Sequence, residues 1–186
     1  MHPVATHGRR AAVLGVVLFA AASAAPAAAQ RAVELHVGGG YTVVDVEKAS
    51  GQSGEVRAEE QAMYQIFGRF LFMPVGRARL GVEAGYRYLY YYEVPSPPFG
   101  YVPRDVAPTH VAGLLKLPLA GGLAAEGGAG LFFYEEGTSL GIFGAAGFDL
   151  PLTPQMSVPI RARIDLLMED PVTIPVGATV GAALRF

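Results

Sequence analysis

Val158-Pro-Ile-Arg-Ala-Arg-Ile-Asp-Leu-Leu-Met168 alternates with a period of two. One face reads Val158, Ile160, Ala162, Ile164, Leu166 and Met168; the other reads Pro159, Arg161, Arg163, Asp165 and Leu167. Successive side chains of a strand point to opposite sides, so this segment is a strand between two unlike surroundings. The scheme recurs at 174–186, where Ile174, Val176, Ala178, Val180, Ala182, Leu184 and Phe186 oppose Pro175, Gly177, Thr179, Gly181, Ala183 and Arg185. It recurs at 79–92, with Leu80, Val82, Ala84 and a row of tyrosines against Arg79, Gly81, Glu83, Gly85 and Arg87. At 33–43, Val33, Leu35, Val37 and Tyr41 oppose Glu34, His36, Gly38 and Thr42. Fainter alternation runs through 63–73, 109–119, 123–134 and 140–150. The pattern predicts eight strands.

Connections alternate in length. Long polar stretches at 46–61 and 95–108, with shorter ones at 135–138 and 169–172, alternate with tight turns at 74–77, 121–122 and 153–156. Antiparallel neighbours joined this tightly form an up-and-down meander, and eight such strands close into a barrel without exposed edges. The expected fold is an all-β, eight-stranded antiparallel transmembrane barrel.

A closed barrel has two physical solutions: apolar face inward around a ligand in water, or apolar face outward in lipid. The polar face here is mostly glycine and alanine with sparse charges of both signs, as a narrow lumen requires. Those charges are Glu34, Arg69, Arg79, Glu83, Arg87, Lys116, Glu126, Asp149, Arg161, Arg163, Asp165 and Arg185. Buried without partners each would cost several kcal/mol, so mixed signs predict a paired lumen network. Arg163 and Asp165 are each expected to pair on a neighbouring strand. Aromatics support the outward solution. Tyr41, Tyr64, Tyr90, Tyr92 and Phe133 fall near one set of strand ends, and Phe70, Phe72, Phe148 and Phe186 near the other, as two interfacial belts would.

Composition agrees. Of 186 residues 52% are hydrophobic and 16% charged, against about a quarter charged in a typical globular chain. The absence of cysteine excludes a disulfide scaffold, a thiolate zinc site and a cysteine nucleophile. A net charge of −2 gives no footprint for nucleic acid. Residues 1–29 read as a secretory signal: Arg9 and Arg10, an apolar centre at 11–20, and Ala27-Ala28-Ala29 as the cleavage signature. The barrel domain is then 30–186, exported through a cleaved signal.

Three stretches carry a family resemblance: Val37-Gly-Gly-Gly-Tyr41, Gly144-Ala-Ala-Gly-Phe148 with Leu150 ahead of the turn Thr153-Pro-Gln-Met-Ser157, and the closing Gly181-Ala-Ala-Leu-Arg-Phe186. In order and spacing the chain resembles the small, porin-like eight-stranded outer-membrane barrels of the outer membrane protein A and X type. The resemblance covers essentially all of 30–186. It implies residence in the outer membrane of a Gram-negative envelope, contact with lipid and lipopolysaccharide, and Phe186 as the assembly signal read by the barrel-assembly machinery. A monomer without cofactor is expected.

Other candidate chemistry is thinner. Serines 50, 53, 96, 139 and 157 lie in loops or at a turn, and no His-x-Ser pairing of the lipid A deacylase kind occurs. His36 and His110 have lumen parity and read as two separate polar residues rather than a metal pair or pH-sensitive plug. Loop acids Asp45, Glu47, Glu55, Glu59, Glu60, Glu135, Glu136, Glu169 and Asp170 read as solvated charge rather than a Ca²⁺ or Mg²⁺ site. The expected role is non-enzymatic: support of the membrane, or surface interaction through 46–61 and 95–108. Alternatives are a narrow pore, a lipid A-modifying hydrolase, and a secreted soluble barrel holding an apolar ligand.

Overall fold

The computed structural model describes residues 31–44, 61–95, 101–135, 137–169 and 172–186. The stretch 1–29 read as a signal, Asp45, most of the stretch 46–61, the tip 96–100, Glu136 and Asp170 lie outside the described residues. Eight strands close into an antiparallel barrel: β1 (Ala32–Val44), β2 (Gln61–Val75), β3 (Ala78–Tyr88), β6 (Thr109–Pro118), β7 (Leu123–Phe133), β8 (Thr138–Pro151), β9 (Met156–Met168) and β10 (Thr173–Arg185). Two more, β4 (Tyr90–Pro95) and β5 (Tyr101–Val106), form a separate hairpin. Each barrel strand pairs with its sequence neighbours among the eight, and β1 closes the ring on β10. Backbone bonds between Arg31 and Phe186 in both directions, 2.9 and 3.0 Å, tie the two ends of the described chain.

Burial follows the period of two and settles which face looks inward. Along β9, Ser157, Pro159, Arg161, Arg163, Asp165 and Leu167 are buried, whereas Ile160, Ala162, Ile164 and Met168 are exposed. The polar face is the inside. Val33, Leu35, Val37, Ile66, Val111, Leu131, Ile142, Val176 and Val180 continue an exposed apolar band round the wall. Such a surface is stable against hydrocarbon and unstable against water, so the soluble carrier is the wrong solution.

The stretch 95–108 departs from the expected open connection. The alternating segment ends at Tyr88 rather than Tyr92, and the chain re-forms as β4 and β5 beyond the rim. The hairpin continues the β3–β6 pair outward. Leu89 N–H donates to the Val106 carbonyl at 2.9 Å and Arg87 N–H to the Pro108 carbonyl at 3.0 Å. Pro108 has no N–H to return, which interrupts the ladder at the bend. Leu89 turns inward and is fully buried with Met63, Phe132 and Leu167, and Tyr90 packs on that cluster instead of joining an interfacial belt. Tyr41, Tyr64 and Phe133 are exposed at the hairpin end of the barrel, and Phe148 and Phe186 at the other. Phe70, in register with exposed Val33, is itself buried, its ring 5.8 Å from that of Phe72.

The outward band predicts a depth-dependent penalty. Val37→Arg, at the middle of β1, should cost about 2–4 kcal/mol of unfolding free energy, and Val43→Arg, near the strand end, about 0–1 kcal/mol. Denaturant unfolding in lipid vesicles measures both, and equal losses would argue against a bilayer centred on the barrel.

Candidate functional site: the packed lumen

Ten charged side chains meet inside the barrel as one connected lattice of five carboxylates (Glu34, Glu83, Glu126, Asp149, Asp165) and five cations (Arg69, Arg87, Lys116, Arg161, Arg163). Toward the short turns, Lys116 Nζ reaches Glu34 at 2.6 Å and Asp149 at 2.8 Å. Arg161 Nε donates to Glu126 at 2.7 Å, its Nη1 donates to the Phe148 carbonyl at 2.7 Å, and its Nη2 bonds Asp149. Arg69 is the hub: Nε on Glu83 at 2.8 Å, Nη1 on Glu126 at 2.6 Å and 3.6 Å from Glu34. Toward the hairpin, Arg163 holds Glu83 at 2.8 Å and Asp165 at 2.9 Å, and Arg87 holds Asp165 at 2.8 Å.

Arg163 and Asp165 do not pair on an adjacent strand. Asp165 is a same-strand neighbour of Arg163, and the other partners, Glu83 and Arg87, come from β3, which stands four strands away from β9 in either direction round the ring. An eight-stranded lumen is narrow enough for an arginine to span it. Arg79 and Arg185, the remaining two of the twelve lumen charges read from alternation, are half-buried near the short-turn end. Phe186 is exposed there.

A row of rings crosses the lumen through this lattice. His36 stacks on Phe67 at 4.8 Å, Phe67 meets His110 edge-on at 6.4 Å, and His110 stacks on Phe132 at 5.2 Å. Each histidine is held by its own acid: His36 Nε2 lies 3.0 Å from Glu34, and His110 Nε2 lies 2.8 Å from Glu83. Glycine makes room for both. A Cβ on Gly181 would stand 3.1 Å from the His36 ring, and one on Gly85 would stand 2.8 Å from His110 Cε1. Guanidinium groups cover the ring faces, with Arg163 3.8 Å from the Phe143 centroid and Arg69 4.9 Å from that of Phe67. Such contacts gain strength where water is excluded. Phe67, Phe132 and Phe143 were not singled out by sequence, although each has the parity of the charges on its own strand.

The histidines therefore bond carboxylates and rings, not each other and not a serine. Ser139 donates to the Leu140 carbonyl at 3.2 Å. Among the described residues no group of three or more His, Asp or Glu side chains has the arrangement of a metal site. At the hairpin end, outside the barrel strands, burial pushes the Glu169 carboxyl above its ordinary range. Burial, and then the neighbouring Glu169, pushes the Tyr134 phenol up.

Glu83 touches Arg69, Arg163 and His110, so its loss takes one of the carboxylates from each of two buried cations and the only one from His110. Glu83→Leu should cost about 3–5 kcal/mol, as removal of one partner from a buried pair does. Adding Arg163→Met should make the double variant less unstable than the sum of the singles, by about 0.5–3 kcal/mol. The chain has no tryptophan, so unfolding is read from the heat-dependent gel mobility of samples taken along a denaturant series in lipid vesicles. Strict additivity would break the lattice into independent contacts.

No protein-family model matches the sequence, and neither does any curated protein. Solved structures do match. Neisserial surface protein A superimposes with a TM-score of 0.57 at 11% identity, covering 84% of this chain and 97% of that one. The outer membrane protein AlkL, determined in lipid bilayers, superimposes with a TM-score of 0.51 at 11% identity, covering 87% and 94%. At such identities the likeness speaks for architecture alone. The chain has the fold of the small eight-stranded outer-membrane β-barrels.

Proposed function

We propose that this chain is an exported, monomeric, non-enzymatic outer-membrane protein whose barrel is a sealed anchor and whose working surface is the rim that carries β4 and β5. One observation carries the reading. Side chains from opposite walls meet across the lumen at the level of Glu83, Arg87, His36 and His110, all four 0% exposed. A barrel closed there offers other molecules only its lipid-facing wall and its rim. Lipid and lipopolysaccharide are the partners of the wall, and the barrel-assembly machinery reads Phe186 during insertion. The hairpin and the connections beside it are the surface for interaction. The similar Neisserial protein is, by its name, a surface protein.

Two measurements test this. The chain lacks cysteine, so single-cysteine labelling starts from a silent background. Asp105→Cys, exposed on the hairpin, should react on intact cells with a polyethylene-glycol maleimide that does not cross the outer membrane. Gln155→Cys, exposed at the opposite turn, should react only after permeabilisation. The reverse pattern, or recovery of the protein in a soluble fraction, would overturn the placement. In planar bilayers the purified protein should pass no steady current; porin-like conductance would overturn the seal and make the barrel a narrow pore.

A further inference from the structure

Outside the lattice, the charges of this chain are sorted by the end of the barrel at which they stand. Of the sixteen acids in the sequence, five belong to the lattice. The other eleven all fall within 45–60, 93–105, 135–136 and 169–170, the connections of the hairpin end, beside only three bases, Lys48, Arg57 and Arg104. The short-turn end is sorted the opposite way. Its described residues outside the lattice, at 31–33, 73–80, 117–124, 150–157 and 183–186, include four arginines (Arg31, Arg77, Arg79 and Arg185) and no acid. The lattice balances its own charges, five against five, so these four are a surplus. Bonds that one of them makes within the rim redistribute the surplus without removing it, and an α-carboxylate at Phe186 offsets only one of the four.

The four arginines also share one side of that rim. β10, β1, β2 and β3 are consecutive round the ring. Arg185 on β10 pairs with Ala32, the chain neighbour of Arg31. Arg79 on β3 pairs with Pro74 across the tight turn of Gly76 and Arg77, where Gly76 takes the left-handed backbone, φ +62°. Arg79 and Arg185 are half-buried at the mouth of the lumen; Arg31 has the parity of exposed Val33, and Arg77 is exposed on the turn. The other two turns of this end, at 119–122 and 152–155, carry no charge and expose Leu119 and Leu152. Beside the basic side runs the apolar band of the wall, with Val33, Met73, Val75 and Leu184 exposed.

Positive charge at the edge of a hydrocarbon-facing wall selects its partner. Where the hydrocarbon of a phospholipid layer ends, the first anionic group is the phosphate. A guanidinium fork pairs phosphate oxygens two at a time, and the apolar stem of an arginine lies along the wall while its head reaches that level.

We propose that Arg31, Arg77, Arg79 and Arg185 form a docking surface for the phosphate headgroups of anionic phospholipid in the leaflet at the short-turn end. This rests on the placement proposed above, in which the turn at Gln155 faces the periplasm and that leaflet is phospholipid. An anionic headgroup layer attracts basic residues held close to it and repels acidic ones. The two ends of the barrel are therefore suited to different surfaces, and the short-turn rim is the one that an anionic phospholipid layer holds.

The full chain, reconstituted in phosphatidylcholine vesicles, is tested with nitroxide-labelled phosphatidylglycerol and nitroxide-labelled phosphatidylcholine, and electron spin resonance reads the share of each that the protein immobilises. Both leaflets carry label, so the direction of insertion does not enter; failure of the placement shows in the Gln155→Cys labelling and failure of the docking in the lipid preference. Phosphatidylglycerol should associate about threefold more strongly than phosphatidylcholine. Sodium chloride at about 1 M, where the screening length falls to about 3 Å, should abolish the difference. The variant carrying Arg31→Gln, Arg77→Gln, Arg79→Gln and Arg185→Gln should lose the preference. The variant carrying Lys48→Gln, Arg57→Gln and Arg104→Gln, bases of the opposite end, should keep it. Should the first variant fail to give the heat-dependent gel shift of a folded barrel, Arg31→Gln with Arg77→Gln leaves the lumen mouth intact and should about halve the preference. Equal association of the two lipids, a preference indifferent to salt or to the rim substitutions, or one lost in the hairpin-end variant overturns the proposal. Sodium phosphate at matched ionic strength should lower the preference no more than sodium chloride does; a larger loss makes free phosphate the ligand and overturns docking to lipid.

Discussion

A charge inside a narrow barrel has nowhere to go but another charge. Moving a carboxylate or guanidinium out of water costs several kcal/mol even after relaxation, and the loss is recovered only when close opposite charges and hydrogen bonds surround it. This chain meets the condition with equal numbers of acids and bases joined without a break from Lys116 at one end to Arg87 at the other. Four of the five cations are arginines, whose rigid fork holds two carboxylates at once, as Arg69 and Arg163 do. The lattice joins opposite walls and not only adjacent strands, so it acts across the diameter in a direction that backbone ladders do not cover.

The rest of the fold follows from where those charges sit. With polar groups inside, every second side chain of each strand faces outward and must suit lipid, which produces the band of Val, Leu and Ile. Closure satisfies the backbone, because a ring of antiparallel strands has no edge left to pair. The inner glycines have a reciprocal purpose. Gly85 and Gly181 leave room for the rings of His110 and His36, so a lumen lined by small residues on some strands is filled by large ones from their neighbours.

The proposed function lies outside this packing. The lumen is occupied by salt bridges and stacked rings, and the outward wall by a band of Val, Leu and Ile. The rim differs in character, because there β3 and β6 continue as β4 and β5. The bend at Leu89 and Pro108 converts two barrel strands into a hairpin, and the apolar cluster beneath it gives the hairpin a seat on the barrel. The physical character of the chain therefore changes in a few residues, from paired charge to apolar collar to β-ribbon.

Alternation alone was enough to read the barrel, its polar inner face, the parity of the ten charges that meet inside it and the tight turns, because a period of two is a local property of the backbone. The outward apolar face was legible for the same reason, since glycine and charge on one side and Val, Leu and Ile on the other admit lipid more readily than water. Partners across the lumen were not legible. Arg163 and Glu83 are eighty positions apart, and their meeting depends on which strands stand opposite once eight of them close with a particular stagger. The place of Phe67, Phe132 and Phe143 was present as parity, but a ring on the inner face acquires meaning only beside the glycine and guanidinium that receive it. The hairpin at 90–106 was hidden by its prolines, which locally read as an open connection and become a paired ribbon through the ladder inherited from β3 and β6. Sequence determined the elements and their two faces, which are set by neighbours along the chain; tertiary structure decided the pairing and the stacking, which depend on distances across a closed ring.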